Sequence, residues 1–262
     1  MESRVRSGHD HSYTGAMARS TTSEAVVLRS FRLGEADRIL HVYTQDRGRV
    51  GAVAKGVRKT KSRFGARLEP FSHVELVLHQ GRGELETVTG ASLVHSHDRI
   101  RTDPYRLQAG MIGLEAMLRL FPEQEANEKA FTALTRFLEA LDDVPARPGI
   151  RAALDPVVLS FQLKLLWVSG YTPHLETCVE CGSPDPLVAF LASAGGGACS
   201  ACDPGGIPLS PEGVHGMRVL LHSPIAAATT AGLGERAQRD ALAVVNASYE
   251  HHGGFRLKTL MA

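Results

Sequence analysis

Two groups of residues in this sequence have types and spacings suited to chemistry. The first is Cys178-x2-Cys181-x17-Cys199-x2-Cys202, which holds all four cysteines of the chain. Two residues between cysteines let both thiolates turn around one tetrahedral ion, and the interval between the pairs falls in the zinc-ribbon range. Four thiolates fill a tetrahedron and leave no position for substrate or water. The Zn2+ expected on Cys178, Cys181, Cys199 and Cys202, one per chain, is therefore structural. Two disulfides conflict with the cytosolic setting argued below, and a redox dithiol leaves one of the two pairs unexplained. His174, four residues before Cys178, reads as a loop histidine rather than a ligand.

The second group is a run of cations. Between Arg47 and Arg67 stand Arg47, Arg49, Lys55, Arg58, Lys59, Lys61, Arg63 and Arg67, with no carboxylate among them. The whole chain carries a formal net charge of only +1. Holding eight like charges together costs self-repulsion, and a phosphate backbone offsets it through counterion release. A solvated face whose cations pair with Glu69, Glu75, Glu84 or Glu86 is the plainer reading. The expected nucleic-acid contacts are Arg38, Lys55, Arg58, Lys59, Lys61, Arg63 and Arg67. Phe64, flanked by Arg63 and Gly65, is the aromatic expected to reach the surface, with burial as its alternative. Few aromatics are available to stack bases, which favours backbone contact over sequence reading.

The elements that position these groups change character near residue 100. Runs at 23–31, 39–44, 49–56, 72–80 and 83–94 are β-rich and separated by turn residues, with "GRG" joining the last two as a hairpin. Five strands of this spacing predict an OB-fold barrel, although an SH3-like barrel fits the same spacing. From Asp103 the period becomes helical. Asp103 and Pro104 open one helix, a second spans about 127–141, and a third about 150–168, with Pro156 kinking it or moving its start. Two more helices follow residue 205. The fold class expected is α+β and multi-domain: an N-terminal OB-fold barrel and a C-terminal helical domain with an inserted zinc ribbon. The boundaries are a disordered extension at 1–19, the barrel at 20–98, the helical domain at 99–176 and 205–262, and the ribbon at 177–204.

No apolar run is long enough to span a membrane, and the first sixteen residues lack the apolar core of a secretory signal. A cytoplasmic, nucleoid-associated protein is expected. The sequence holds no G-x-x-x-x-G-K-[ST] and no H-x-E with P-C-x-x-C, so neither P-loop nor zinc-deaminase chemistry is expected. Glu84 with Glu86, read as facing outward on a strand, and Asp142 with Asp143, read as a loop pair, are not expected to be catalytic. A sirtuin-type deacylase also carries paired C-x-x-C motifs but needs a dinucleotide site that is absent here. An RNA-binding OB protein remains open on these grounds, since backbone contacts do not separate RNA from DNA.

Residues 24–76 resemble the opening of the RecO recombination mediators. The matching positions are Gly34, Glu35, Asp37, Arg38, Ile39 and Leu40; Thr44 and Gly48; Ala54, Lys55, Gly56, Arg58, Lys59, Ser62, Arg63 and Phe64; and Leu68, Pro70 and Phe71. "GYTPHLETCVECG" and "GGFRLKTL" resemble that family's ribbon entry and C-terminal end. The resemblance spans about residues 23–260. It implies a protein that binds single- and double-stranded DNA and anneals complementary strands, and nothing in the residues themselves calls for an enzyme. With RecR, it would help RecA replace single-strand-binding protein (SSB), whose acidic, apolar C-terminal tail would contact the helical domain.

Overall fold

The computed structural model describes residues 20–58, 64–81, 83–145 and 151–261. The expected extension at 1–19 lies outside them, as do Lys59, Lys61 and Arg63. Strands β1 (Ser20–Leu33), β2 (Asp37–Thr44), β3 (Gly48–Ala54), β4 (His73–His79) and β5 (Glu86–His95) form a closed barrel in the order β1-β2-β3-β5-β4. Every seam is antiparallel except β3–β5, where only Ala52–Glu86 and Val53–Thr87 pair, in parallel. Alternation of side chains along each strand sends Ala25, Val27, Leu40, Val42, Val50, Ala52, Val74, Leu76, Leu78 and Val88 inward.

The short parallel seam has a fastener. Glu86 is buried, not outward-facing as the strand pattern suggested, and both its oxygens accept from the Arg47 guanidinium, at 2.7 and 3.2 Å. A buried carboxylate needs such a partner, and the paired N–H groups of arginine match its geometry.

The barrel is also apolar on part of its outside. The β1–β2 register shifts between Val27 and Arg29, and Leu28 leaves the barrel wall there. Val26, Leu28, Tyr43 and Phe71 belong to the core of the helical half. That half comprises α1 (Asp98–Thr102), α2 (Pro104–Leu120), α3 (Glu128–Asp143), α4 (Pro156–Val168), α5 (Pro211–His222), α6 (Glu235–Gly253) and α7 (Lys258–Met261). Helix α4 is its centre and is buried on almost every side. Pro156 does not kink it; the helix begins there, because Asp155 accepts from Val157 N at 2.8 Å as N-cap and proline fits the first helical position. Asp155 also accepts a hydrogen bond from Tyr105 of α2, tying two helices to one cap. The inserted segment is a three-stranded sheet of β6 (Leu187–Leu191), β7 (Gly196–Cys199) and β8 (Ile207–Pro208), in the order β7-β6-β8.

Two glycines of α2 admit aromatic rings. A Cβ on Gly110 would stand 2.7 Å from the Phe71 ring, and one on Gly113 would stand 2.2 Å from Phe137. Phe137 cannot retreat, because it stacks on Phe161 at 4.2 Å between centroids. Gly113→Ala is therefore expected to cost about 1–3 kcal/mol through overpacking. Gly81→Ala, with nothing within 4 Å, should stay within about 0.5 kcal/mol of wild type. Chemical denaturation of both variants decides this: equal midpoints would show that the α2–α3 contact is not tight.

Candidate nucleic-acid interface and four-cysteine centre

The cationic run divides into two parts. Arg47 holds Glu86, and Arg49 donates to the Leu118 carbonyl at 2.6 Å while lying 3.4 Å from Glu123, so both serve the fold. Arg38 pairs with Glu69 at 2.9 Å on a part-exposed surface, where such a bridge is worth at most about 1 kcal/mol. Arg38 and Arg47 thus pair with two of the carboxylates the plainer reading named, Glu69 and Glu86, while Arg49 takes a different one, Glu123. Lys55, Arg58 and Arg67 are exposed. Arg58 donates to the carbonyls of Gly34 and Glu35, and Gly56 N donates to Asp37, which fastens the base of the run to the β1–β2 turn. Arg67 reaches the Ala91 carbonyl at 3.4 Å.

Phe64 corrects the sequence expectation. It is 2% exposed and joins the barrel core with Leu68, so its ring is not available to stack a base. The helical turn Gly65–Leu68 returns the chain toward the barrel, and an apolar ring at its start gains more from burial than from water.

Among the described residues of the barrel, the exposed aromatic is Phe31, near the end of β1. Arg29 lies 4.4 Å over its ring and His41 of β2 meets its edge at 5.7 Å. Beside this pair a cleft of about 520 Å³ opens between barrel and helices, lined by Arg29, His41, Arg49, Met111, Glu115, Arg119 and Lys258 among others. Its one carboxylate, Glu115, is already engaged by the backbone N–H groups of Lys258 and Thr259 and by the Thr259 hydroxyl. Burial, then the positive charge of Arg49 and Arg29, hold the His41 pKa below its ordinary value despite nearby Glu123. The cleft is thus electropositive. Its residues come from β1, β2, β3, α2 and α7, so no sequence run announced them; the β1–β2 pairing sets Arg29 beside His41, and the packing of the helices on the barrel brings the rest.

A second cleft, of about 700 Å³, lies between α3, α4 and the turn at Ile225–Thr230. Trp167, half exposed, lines it with Ile225, and Lys129 stands 5.0 Å over the indole. Arg136 and Lys164 add positive charge, while Glu128, Glu139 and Asp143 stand on the same walls.

The four cysteines converge. Their sulfurs lie within 4.8 Å of one another, and Cys181 Sγ and Cys199 Sγ are 3.8 Å apart. Sulfurs at about 2.3 Å from a tetrahedral centre would be separated by roughly 3.8 Å, so the set fits zinc. Each pair sits on a tight turn: Gly182 N donates to the Cys178 carbonyl, and Cys202 N to the Cys199 carbonyl. Cys199 N donates to Cys178 Sγ at 3.4 Å. Backbone N–H groups, Cys199's first, draw the Cys178 thiol down to about 6, whereas Cys202 is pushed up to about 12 by sharing its proton with Cys181 and Cys199. Without a cation four thiolates repel one another; a dication among them favours all four. His174 bonds Thr177 Oγ1 at 2.9 Å and lies outside this set, as a loop histidine. Cys178, Cys199 and the apolar residues Leu187, Phe190 and Ala198 belong to the helical core, so the small sheet borrows its interior from the helices.

Residues 17–97 match the family Recombination protein O N terminal, and residues 101–261 match Recombination protein O C terminal. The DNA repair protein RecO of Rubrobacter xylanophilus is 41% identical over 224 residues, covering 83% of this chain and 87% of that one. The RecO of Thermobifida fusca is 37% identical over 89% of this chain and 94% of its own length. That of a Nocardioides species is 43% identical over 76% and 81%. Two family matches covering both halves, and relatives of this identity over most of the chain, establish that the protein belongs to the RecO family of DNA repair proteins.

Proposed function

We propose that this chain is a DNA-binding recombination mediator. In this reading its barrel is an OB-fold that binds single- and double-stranded DNA, and its work is binding and strand annealing rather than turnover. With RecR it would help load RecA onto DNA covered by SSB. The observation that carries the reading is a set of cations placed along the β1–β2 ribbon and the cleft beside it: Arg58 bonded to the ribbon's turn, Arg29 over the exposed Phe31 ring, and Arg119 and Lys258 in the cleft that Arg29 also lines. Cations that neutralise phosphates beside an exposed ring that can stack a base are what a single strand requires. Annealing follows if cations neutralise two strands at once and reduce their mutual repulsion. Among the described residues no helix is long and apolar enough to cross a membrane.

The second cleft supports the SSB contact. An acidic, apolar tail would place side chains against Trp167 and Ile225 and its carboxylates near Lys129, Arg136 and Lys164. The cysteine centre, in this reading, holds one structural zinc that fixes the β6–β8 sheet against α5 and α6.

Three measurements test these readings. Binding of a fluorescent single-stranded oligonucleotide across a salt series should show a log–log slope flattened by about 0.7 for each lost phosphate contact. That flattening is expected for Arg58/Lys59/Lys61/Arg63→Ala, and separately for Arg29/Arg119→Ala. Slopes equal to wild type in both variants would move DNA off this surface, and equal binding of matched RNA without annealing would favour an RNA-binding role. Trp167 is the only tryptophan of the chain, so its fluorescence reports on the second cleft directly. A peptide of the SSB tail should perturb it, and Lys129/Arg136→Glu should weaken that binding at least about tenfold, or 1.4 kcal/mol. An unperturbed Trp167 at saturating peptide would exclude this cleft. Cys199→Ser should bind one zinc fewer than wild type by native mass spectrometry and melt at lower temperature. A wild-type chain that keeps its melting temperature after complete zinc removal would contradict the structural role.

A further inference from the structure

His95, His97 and Asp142 meet where the barrel joins the helices. His95 ends β5, His97 immediately precedes α1, and Asp142 lies in the last turn of α3. One ligand atom from each of the three lies within 4.8 Å of the others. His97 Nδ1 is 2.6 Å from Asp142 Oδ2, and His95 Nδ1 is 3.7 Å from the same oxygen. The two imidazoles, two residues apart, lie side by side with their centroids 4.0 Å apart.

Two features are not explained by a hydrogen bond alone. His97 adopts a left-handed conformation, φ 50° and ψ 44°, while 1% exposed. A non-glycine residue held there is strained and persists where the surroundings impose it. Asp142 Oδ1 is buried with no hydrogen-bond partner, although Oδ2 is engaged. A divalent cation held by both oxygens would satisfy the orphan atom and give the strained histidine a ligand's role. Ligands about 2.0–2.2 Å from such an ion are separated by roughly 2.9–3.5 Å, and the two observed N–O distances bracket that range.

We propose that His95, His97 and Asp142 form a second metal site, which takes a borderline first-row transition dication such as Zn2+. Imidazole and carboxylate ligands suit that class. Binding replaces the proton shared by His97 Nδ1 and Asp142 Oδ2 and releases it to solvent. The imidazoles now lie 4.0 Å apart and tilted by 30°, and His95 Nδ1 accepts from His97 N at 3.2 Å. One ring must therefore rotate to coordinate. His95, with half its side chain exposed, is free to do so, and water can complete the shell. The ion would clasp the barrel-to-helix connection to α3. This inference is independent of the DNA reading and of the cysteine centre.

The test uses the full-length protein, stripped with chelator and titrated with zinc, counted by native mass spectrometry. Wild type should take two ions, Cys199→Ser one, and His95→Ala and Asp142→Asn one each. His95→Ala removes an exposed ring, so its circular dichroism should match wild type and its lost ion cannot reflect unfolding. Cobalt separates the sites: the first equivalent should give intense thiolate-to-cobalt bands, and the second only weak visible bands, absent from His95→Ala. Wild type should gain melting temperature with the second equivalent and His95→Ala should not. Saturation of wild type at one ion, or a second ion bound equally by His95→Ala and Asp142→Asn, would overturn the proposal.

Discussion

The rest of the molecule depends on the barrel being apolar on two sides. A five-stranded barrel filled by valine, leucine and alanine needs only its interior to be apolar. Here Val26, Leu28, Tyr43 and Phe71 point outward into the helical core, so separating the halves would expose that apolar surface to water at a hydrophobic cost. The device is local: a register shift between Val27 and Arg29 releases Leu28 from the wall, and Phe71, at φ 74°, turns its ring against Gly110. The two halves are thereby fixed in register. That is why residues from β1, α2 and α7 line one cleft.

Charge follows from the same constraint. Where the chain is drawn into the joint or the barrel seam, cations acquire partners: Arg47 with Glu86, Arg49 with Leu118 and Glu123. Beyond the end of β3 and in the turn Gly65–Leu68, Lys55, Arg58 and Arg67 remain exposed. One contiguous run of like charge in the sequence thus serves as cement at one end and as surface at the other.

The inserted sheet repeats the pattern on a smaller scale. Its strands are too short for an interior of their own, and Cys178 and Cys199 lie in the core shared with the helices while Cys181 faces solvent. The four sulfurs thus bring the exposed loop of Cys181 beside the buried Cys178 and Cys199.

The sequence by itself determined what local chemistry controls. Strand alternation, the caps at Asp103, Asn127, Asp155 and Ser210, and the left-handed stop at Gly254 all act within a few residues, and the helices they bound start or stop there. The cysteine cluster was legible for the same reason, since two C-x-x-C turns each set half of its geometry. Tertiary structure decided what depends on partners distant in the chain. Glu86 reads as an outward strand residue until Arg47 arrives, and Phe64 as a surface ring until the turn after it folds onto the barrel. Asp142 reads as a loop acid until His97 meets it from 45 residues away. Burial and pairing are properties of the whole packed chain, and no periodicity or spacing encodes which side chain will occupy the space beside another.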